Sequence, residues 1–399
     1  MVAAAFLCAG SANAAQFQGS VSAKSAILVD ADSGRVLFEK NADERSLIAS
    51  TTKIMTGLLV CEAGDLAREI SVPPEAAGVE GSSLYLKAGE RITVKELLYG
   101  LMLRSGNDAA VALAIATAGS VDAFVKRMNE KAQALGMEHT HFENPNGLDG
   151  ENHYSTARDL SKLCAYAMEK ETFRAVVSSK SFTERGRSFT NHNKLLWRVE
   201  GADGVKTGYT KKAGRILAGS ATRDGQRLIC VTICDPDDWR DQQALLDYGF
   251  SEFPARTIVT AGETVGSVPV VGSKTQRVSL VTGADFSYPV AEGETVQTIL
   301  HAPEFVYAPV LPGAAGWLEV LVDGAQVSQV PVYYAQTAEE FTPARGFWKR
   351  IFGGEHGAAA AKNSIQLRRS LPAEGRADDF GPPRARQRQY GKPRRCGGR

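Results

Sequence analysis

Residues 48–56, Ile48-Ala49-Ser50-Thr51-Thr52-Lys53-Ile54-Met55-Thr56, open an apolar run from Gly57 to Cys61 that reads as a helix. If Ser50 sits in its first turn, Lys53, three residues on, comes round to the same face. A hydroxyl and an amine are then neighbours at a helix N-terminus, where backbone N–H groups point outward and favour negative charge. A lysine buried there among other cations loses its proton near neutral pH and can accept one from Ser50. Taken alone, the pattern fits equally a plain helix start with a serine cap and a solvated lysine. The rest of the chain decides between them.

Before this stretch, residues 25–30 and 35–40 are apolar, alternating runs around Ala31-Asp32-Ser33-Gly34, a β-hairpin pattern. After it, residues 72–89 are rich in Pro, Gly and Ser and read as an irregular excursion. Residues 92–103 form an amphipathic helical pattern that breaks at Ser105-Gly106-Asn107, and 108–118 resume as an apolar helix. Such a break points Ser105 and Asn107 into whatever lies between two lobes. Further helices are expected over 121–135, capped by Ser120 and stopped by Gly136, and over 157–170, capped by Ser155-Thr156. Between them lies a polar loop, 141–154. A polar stretch with Asn191-His192-Asn193 and Leu195-Leu196-Trp197 leads to Gly204-Val205-Lys206-Thr207-Gly208-Tyr209-Thr210. Strands over 215–222 and 226–234 then flank the turn Arg223-Asp224-Gly225, and a helix over 237–250 follows. The order hairpin, helices, hairpin, helix implies an α+β domain: an antiparallel sheet built from both ends of the segment, with a helical lobe inserted. A cleft between sheet and lobe can collect Ser50, Ser105 and Lys206.

The chain has 399 residues, enough for two domains, and a formal charge of +1. Residues 362–399 carry 11 Lys/Arg against 3 Asp/Glu, so a basic tail follows a mildly acidic body. Residues 2–15 are small and apolar and end in Ala12-Asn13-Ala14, an A-x-A cleavage pattern without a basic start; a signal peptide over 1–14 and export are expected. Of six cysteines, Cys8 leaves with that leader, and the remaining five show no disulfide spacing. Cys230 and Cys234, about 13 Å apart along a strand, are too distant to bridge and are expected as small core residues. The six histidines show no metal-ligand clustering, so neither metal nor cofactor is expected, and His153 and His192 read as loop residues. From about residue 256 short Val-rich runs separated by Gly and Asp indicate a small all-β domain over 256–336. Residues 339–353 place Phe341, Ala344, Trp348, Ile351 and Phe352 at helical spacing beside Arg345, Lys349 and Arg350, a pattern for a helix lying on a membrane surface or packed on the β-domain. Residues 356–399 read as a disordered basic tail, and nucleic-acid binding by it fits export poorly.

Ser50-x-x-Lys53, Ser105-Gly106-Asn107 and Lys206-Thr207-Gly208 occur in order, each on the element its chemistry needs. The set resembles the signature of penicillin-recognising serine acyltransferases, and the chain from about 20 to 334 resembles the low-molecular-mass penicillin-binding proteins, the serine D-alanyl-D-alanine carboxypeptidases. The likeness is densest in Ala49-Ser50-Thr51-Thr52-Lys53, Ser105-Gly106-Asn107-Asp108-Ala109, residues 153–160 and residues 205–210, with Ile48 where relatives often carry Pro. It implies a β-lactamase/transpeptidase-like domain over 20–254, a β-rich second domain and a terminal amphipathic anchor. It further implies that Ser50 attacks the carbonyl between the last two D-alanines of a peptidoglycan stem peptide and that neutral Lys53 takes its proton. Ser105 then relays a proton to the leaving amine, and Asn107 holds the peptide backbone. Lys206 and Thr207 bind the terminal carboxylate, Gly208 admits the substrate, and the Ser50 and Tyr209 N–H groups form the oxyanion hole, with Arg240 as a second carboxylate contact. β-Lactams would acylate Ser50, and the protein would work at the outer face of the cytoplasmic membrane. A serine β-lactamase is the first rival, weakened by Gly106 where class A enzymes carry Asp and by the lack of a clear general-base glutamate motif. The second is a wall-binding scaffold with a degenerate site.

Overall fold

The computed structural model describes residues 17–341; the expected leader over 1–14, the tail over 356–399 and all but 339–341 of the amphipathic segment lie outside them. β1 (Ser25–Asp30) and β2 (Val36–Lys40) form the first hairpin, and its turn is held by the Ser33 amide donating to Asp30 Oδ1 at 2.9 Å. The chain then enters the helical lobe through a single 3₁₀ turn (Ala49–Thr52) and α1 (Lys53–Ala63). Two three-residue strands, β3 (Glu69–Ser71) and β4 (Arg91–Thr93), pair across the base of the 72–89 excursion. α2 (Val94–Arg104) starts two residues later than the periodicity predicts, because Thr93 and Glu96 form a reciprocal capping box. α3 (Asn107–Ala118), α4 (Val121–Ala134) and α5 (Ala157–Glu169) follow, and Ser120 and Thr156 accept from the Ala123 and Asp159 amides as N-caps.

Residues 171–198, read as a polar stretch, contain α6 (Glu171–Ser178), a hairpin of β5 (Ser181–Glu184) and β6 (Arg187–Thr190), and the one-turn α7 (Leu195–Arg198). The hairpin turn runs through Arg185 and Gly186, both with positive φ. Each four-residue strand carries a single apolar residue, Phe182 or Phe189, paired on one face against the helical lobe, too few for alternation to register. β7 (Ala202–Thr210), β8 (Gly214–Arg223), β9 (Gln226–Ile233) and α8 (Asp238–Glu252) complete the domain.

The central sheet has the order β2-β1-β9-β8-β7 and is antiparallel throughout. Successive residues of its strands enter opposite cores. Ile27, Ile229, Val231 and Ala218 pack towards the helical lobe, while Leu28, Leu228, Cys230 and Leu217 pack with Leu245, Leu246 and Phe253 around α8. This two-sided cover is why the strands read as continuous apolar runs. Cys230 is buried as expected, but Cys234 is exposed: it lies just past the end of β9 at φ 52°, outside the core.

The second domain contains β10 (Ala255–Val259), β11 (Thr264–Val271), β12 (Arg277–Thr282), β13 (Phe286–Pro289), β14 (Val296–His301), β15 (Val306–Tyr307), β16 (Ala314–Val322) and β17 (Ala325–Tyr334). Six of them make a sheet of order β14-β16-β17-β12-β11-β15, and β10 pairs with β13. Arg35, from the β1–β2 turn, ties the domains together. It donates to Pro289 O at 2.6 Å, pairs with Glu294, and lies over the rings of Phe253 and Tyr288. Among the described residues no single helix is long and apolar enough to cross a membrane.

Candidate active site

The 3₁₀ turn sets Ser50 at the mouth of a cleft and sends Lys53 into the protein, where it is fully buried. Ala49 adopts φ 45°, a conformation costly for a residue with a Cβ and tolerated where the surroundings fix it. Three neighbours do so. The Thr51 hydroxyl donates to Ile48 O at 2.5 Å. Gly147, at φ 84°, presses so close that a Cβ there would lie 1.9 Å from Ala49 O. Gly208 on β7 faces the turn from the other side, with room for a Cβ only 3.2 Å from the Ser50 amide. The glycine of the Lys-Thr-Gly motif thus brings the strand edge up to the Ser50 N–H.

Lys53 Nζ meets three oxygens: Asn107 Oδ1 at 2.7 Å, the Asn146 carbonyl, and Ser50 Oγ at 3.0 Å. The first two can only accept, so they take two N–H bonds of a neutral amine and leave its lone pair for the one partner able to donate, the Ser50 hydroxyl. Burial pushes the Lys53 amine well below its usual value, and the Lys206 charge adds to this. Lys206 is itself buried, its amine donating to Thr207 O at 2.9 Å, and burial brings it down to about 7.

The α2–α3 break supplies the facing wall. Ser105 closes α2 in the left-handed region, φ 63°, and lines the cleft. Asn107 opens α3 and is held at both ends of its amide, its Nδ2 donating to Glu80 O at 2.5 Å and its Oδ1 accepting from Lys53. These two bonds fix the Asn107 amide beside Lys53 and leave its second Nδ2 hydrogen over for a substrate's backbone. The excursion over 72–89 drapes across this break. Buried Asp108 gathers it, accepting from the Leu84 and Leu86 amides and from Ser83 Oγ at 2.7 Å. Below, the Asn144–Gly147 loop is fastened by Thr56 donating to Pro145 O at 2.6 Å and by the Gly147 amide donating to Asn144 Oδ1 at 2.7 Å. His153 is part of this frame. Its Nδ1 accepts from the Glu143 amide, so Nε2 carries the proton and donates to Thr52 Oγ1 at 2.7 Å. Burial lowers it to about 4, so it stays neutral.

The cleft encloses about 300 Å³ and includes Ser50, Ser82, Ser105, His192, Thr207, Gly208 and Tyr209. Its far end is walled by Arg215, which donates to Asp238 Oδ1 at 2.6 Å and lies over the Trp239 ring. Arg240 does not join it. Flanked in sequence by acids, it pairs with Asp237 at 3.1 Å and Asp241 at 3.3 Å and stays solvated. Arg215 stands at the cleft instead, on β8 across from Tyr209. Sequence reasoning missed Arg215, Asp108 and Asn146; the last acts through a backbone carbonyl, for which no residue type is diagnostic. Among the described residues no cluster of His, Cys, Asp and Glu is arranged to hold a metal ion.

A family model described as D-alanyl-D-alanine carboxypeptidase matches residues 11–237, and one described as penicillin-binding protein 5, C-terminal domain, matches 253–340. The chain belongs to the D-alanyl-D-alanine carboxypeptidase family. Relatives of this carboxypeptidase family include DacF of Bacillus subtilis, 35% identical over 327 residues covering 78% of this chain and 84% of that one. DacA of Escherichia coli is 35% identical over 343 residues, 80% and 84% of the two chains. Penicillin-binding protein 5 of Haemophilus influenzae superposes with a TM-score of 0.71 at 29% identity, over 82% of this chain and all of its own.

Proposed function

We propose that this protein is a serine D-alanyl-D-alanine carboxypeptidase that removes the terminal D-alanine from peptidoglycan stem peptides and is acylated by β-lactams. One observation carries the assignment of residues: a buried amine driven towards neutrality lies 3.0 Å from the Ser50 hydroxyl, inside a cleft edged by Thr207 and Gly208. Ser50 Oγ attacks the carbonyl between the two D-alanines while its proton passes to the Lys53 lone pair. The negative charge that develops on the carbonyl oxygen meets the Ser50 and Tyr209 amides, a role supported by the close approach of β7 to the Ser50 amide at Gly208. Ser105, on the opposite wall, passes its proton to the leaving nitrogen and regains the one held by Lys53, so the C–N bond breaks, D-alanine departs with a neutral amine, and both side chains return to their starting state. Water then cleaves the Ser50 ester, returning the hydroxyl and a shortened peptide. The departing residue's carboxylate rests on Thr207, with the Lys206 charge behind it and Arg215 at the cleft's end. The protein acts on the cell wall; we place it outside the cytoplasmic membrane, with its 339–353 segment on the lipid surface.

Incubation with benzylpenicillin followed by peptide mapping is expected to find the adduct on Ser50. Ser50→Ala is expected to abolish D-alanine release from a peptide ending in D-Ala-D-Ala at unchanged melting temperature; normal release would refute the assignment. A β-lactamase would instead turn the penicillin over rapidly with no lasting adduct.

A further inference from the structure

The end of the second domain from which the chain exits is apolar on its outer side. Val270, Val306, Val310 and Ala338 point inward and pack together with Val278. In a half-solvated sheet the residues alternating with them are polar. Here their chain neighbours are Val271 (47% exposed), Phe305 and Tyr307 (48% and 69%) and Leu311 (69%). These form one surface. Val271 and Tyr307 are partners in the parallel β11–β15 pair, and the Phe305 and Tyr307 rings meet edge to face at 5.5 Å. Leu311 follows Val310, which bridges to Ala338. The last described residue, Phe341, joins the group, its amide donating to Gly272 O at 2.7 Å and its ring beneath Lys274 Nζ. The sequence that continues from this point carries Phe347, Trp348, Ile351 and Phe352 with Arg345, Lys349 and Arg350.

We infer that this face of the β-domain is itself a lipid-contacting surface, seating Val271, Phe305, Tyr307 and Leu311 in the headgroup region of a bilayer beside the 339–353 segment. The inference extends the membrane contact proposed for that segment. Contiguous exposed apolar side chains of this kind mark an interaction site, and one short amphipathic helix binds a bilayer only weakly, so a second apolar element on the same side gives the contact its strength and fixes its orientation. Charge has a minor part: Lys274, Arg345, Lys349 and Arg350 are set against Glu304, Glu339 and Glu340. Apolar burial rather than attraction to anionic headgroups therefore dominates, and raising salt should weaken binding little.

The test is co-sedimentation of the full chain with vesicles of phosphatidylethanolamine and phosphatidylglycerol. The double variant Tyr307→Ser/Leu311→Ser is expected to partition about tenfold less, as two partly inserted side chains imply, with D-alanine release from soluble peptide and melting temperature unchanged. Ile299→Ser, which removes an exposed apolar side chain on β14, should partition as the native chain does. Native-like partitioning of the double variant overturns the inference. Trp348→Ser/Phe352→Ser separately tests the segment: loss there with a native-like Tyr307/Leu311 variant sinks this proposal and leaves the segment's role standing. A change in sedimentation of the Tyr307/Leu311 variant without lipid would assign the face to a second copy of the chain and overturn the lipid assignment.

Discussion

The five-stranded sheet of the first domain and the six-stranded sheet of the second differ in what covers them. β1 is buried at all six of its positions, because helices pack on both faces of its sheet, whereas β12 alternates buried and accessible along its length. Buried polarity follows the same division. Among the described residues every buried polar or charged side chain except Thr282 precedes Ala255. The two left-handed residues of the cleft, Ala49 and Ser105, also belong to the first domain. Chemistry requires amines out of water and a hydroxyl on a strained turn, and both oppose stability. A domain enclosed on two sides can hold them, and the β-domain, free of that demand, is built as a scaffold with a surface to offer.

The largest effect should come from the group that the comparison makes most unusual. Lys53→Met keeps the volume and removes the base, so acylation by benzylpenicillin, followed by stopped-flow fluorescence, should slow by roughly 10³-fold or more. Gly147→Ala attacks the frame, placing a methyl against Ala49 O at a positive φ. It should destabilise the protein by about 3 kcal/mol in urea unfolding and displace Ser50, so that acylation falls with it.

Lys206→Met should act in the opposite direction on stability. The native group's pKa falls from the usual lysine value to about 7 on folding, so between these values the unfolded chain holds the extra proton. Its cost to the native state is fully present below about 7 and disappears as pH rises to the ordinary lysine range. The variant should therefore be more stable than the native chain at pH near 7, by on the order of a few kcal/mol, with the gain vanishing in alkali, while KM for the peptide rises. Equal stability at both pH values would break the contrast between the domains. The smallest effect is expected where they meet: Arg35→Ala should cost about 1 kcal/mol and leave acylation untouched, and limited proteolysis near residues 253–255 should accelerate.

The Ser50–Lys53 pair was legible in the sequence because three residues of helical spacing fix a neighbour relation before any tertiary contact exists. Ser105 was legible because it ends a helix; Lys206 was legible through the Lys-Thr-Gly motif alone, since it lies in the middle of β7 and not at the end of an element. What escaped depended on direction rather than type. Arg215 and Arg240 look alike on paper, but the first turn of α8 aims Arg240 at Asp237 and Asp241, and only the β7–β8 register sets Arg215 at the cleft. The excursion over 72–89 gave no sign that Asp108 folds it into a wall, since backbone amides are the partners. The short elements β3, β4, β5, β6, α7, β13 and β15, of four residues or fewer, fall below the length at which periodicity can speak.

Lys206 has one last consequence. With its amine poised near 7, the resting cleft is only partly cationic, and in the proposed reaction a carboxylate arriving at Thr207 would raise that value by its own field. Ligand entry and proton uptake then become one event. A peptide and a penicillin, both carrying a carboxylate at that point, are each expected to draw a hydrogen ion from solvent as they dock, which calorimetry in buffers of different ionisation enthalpy would read.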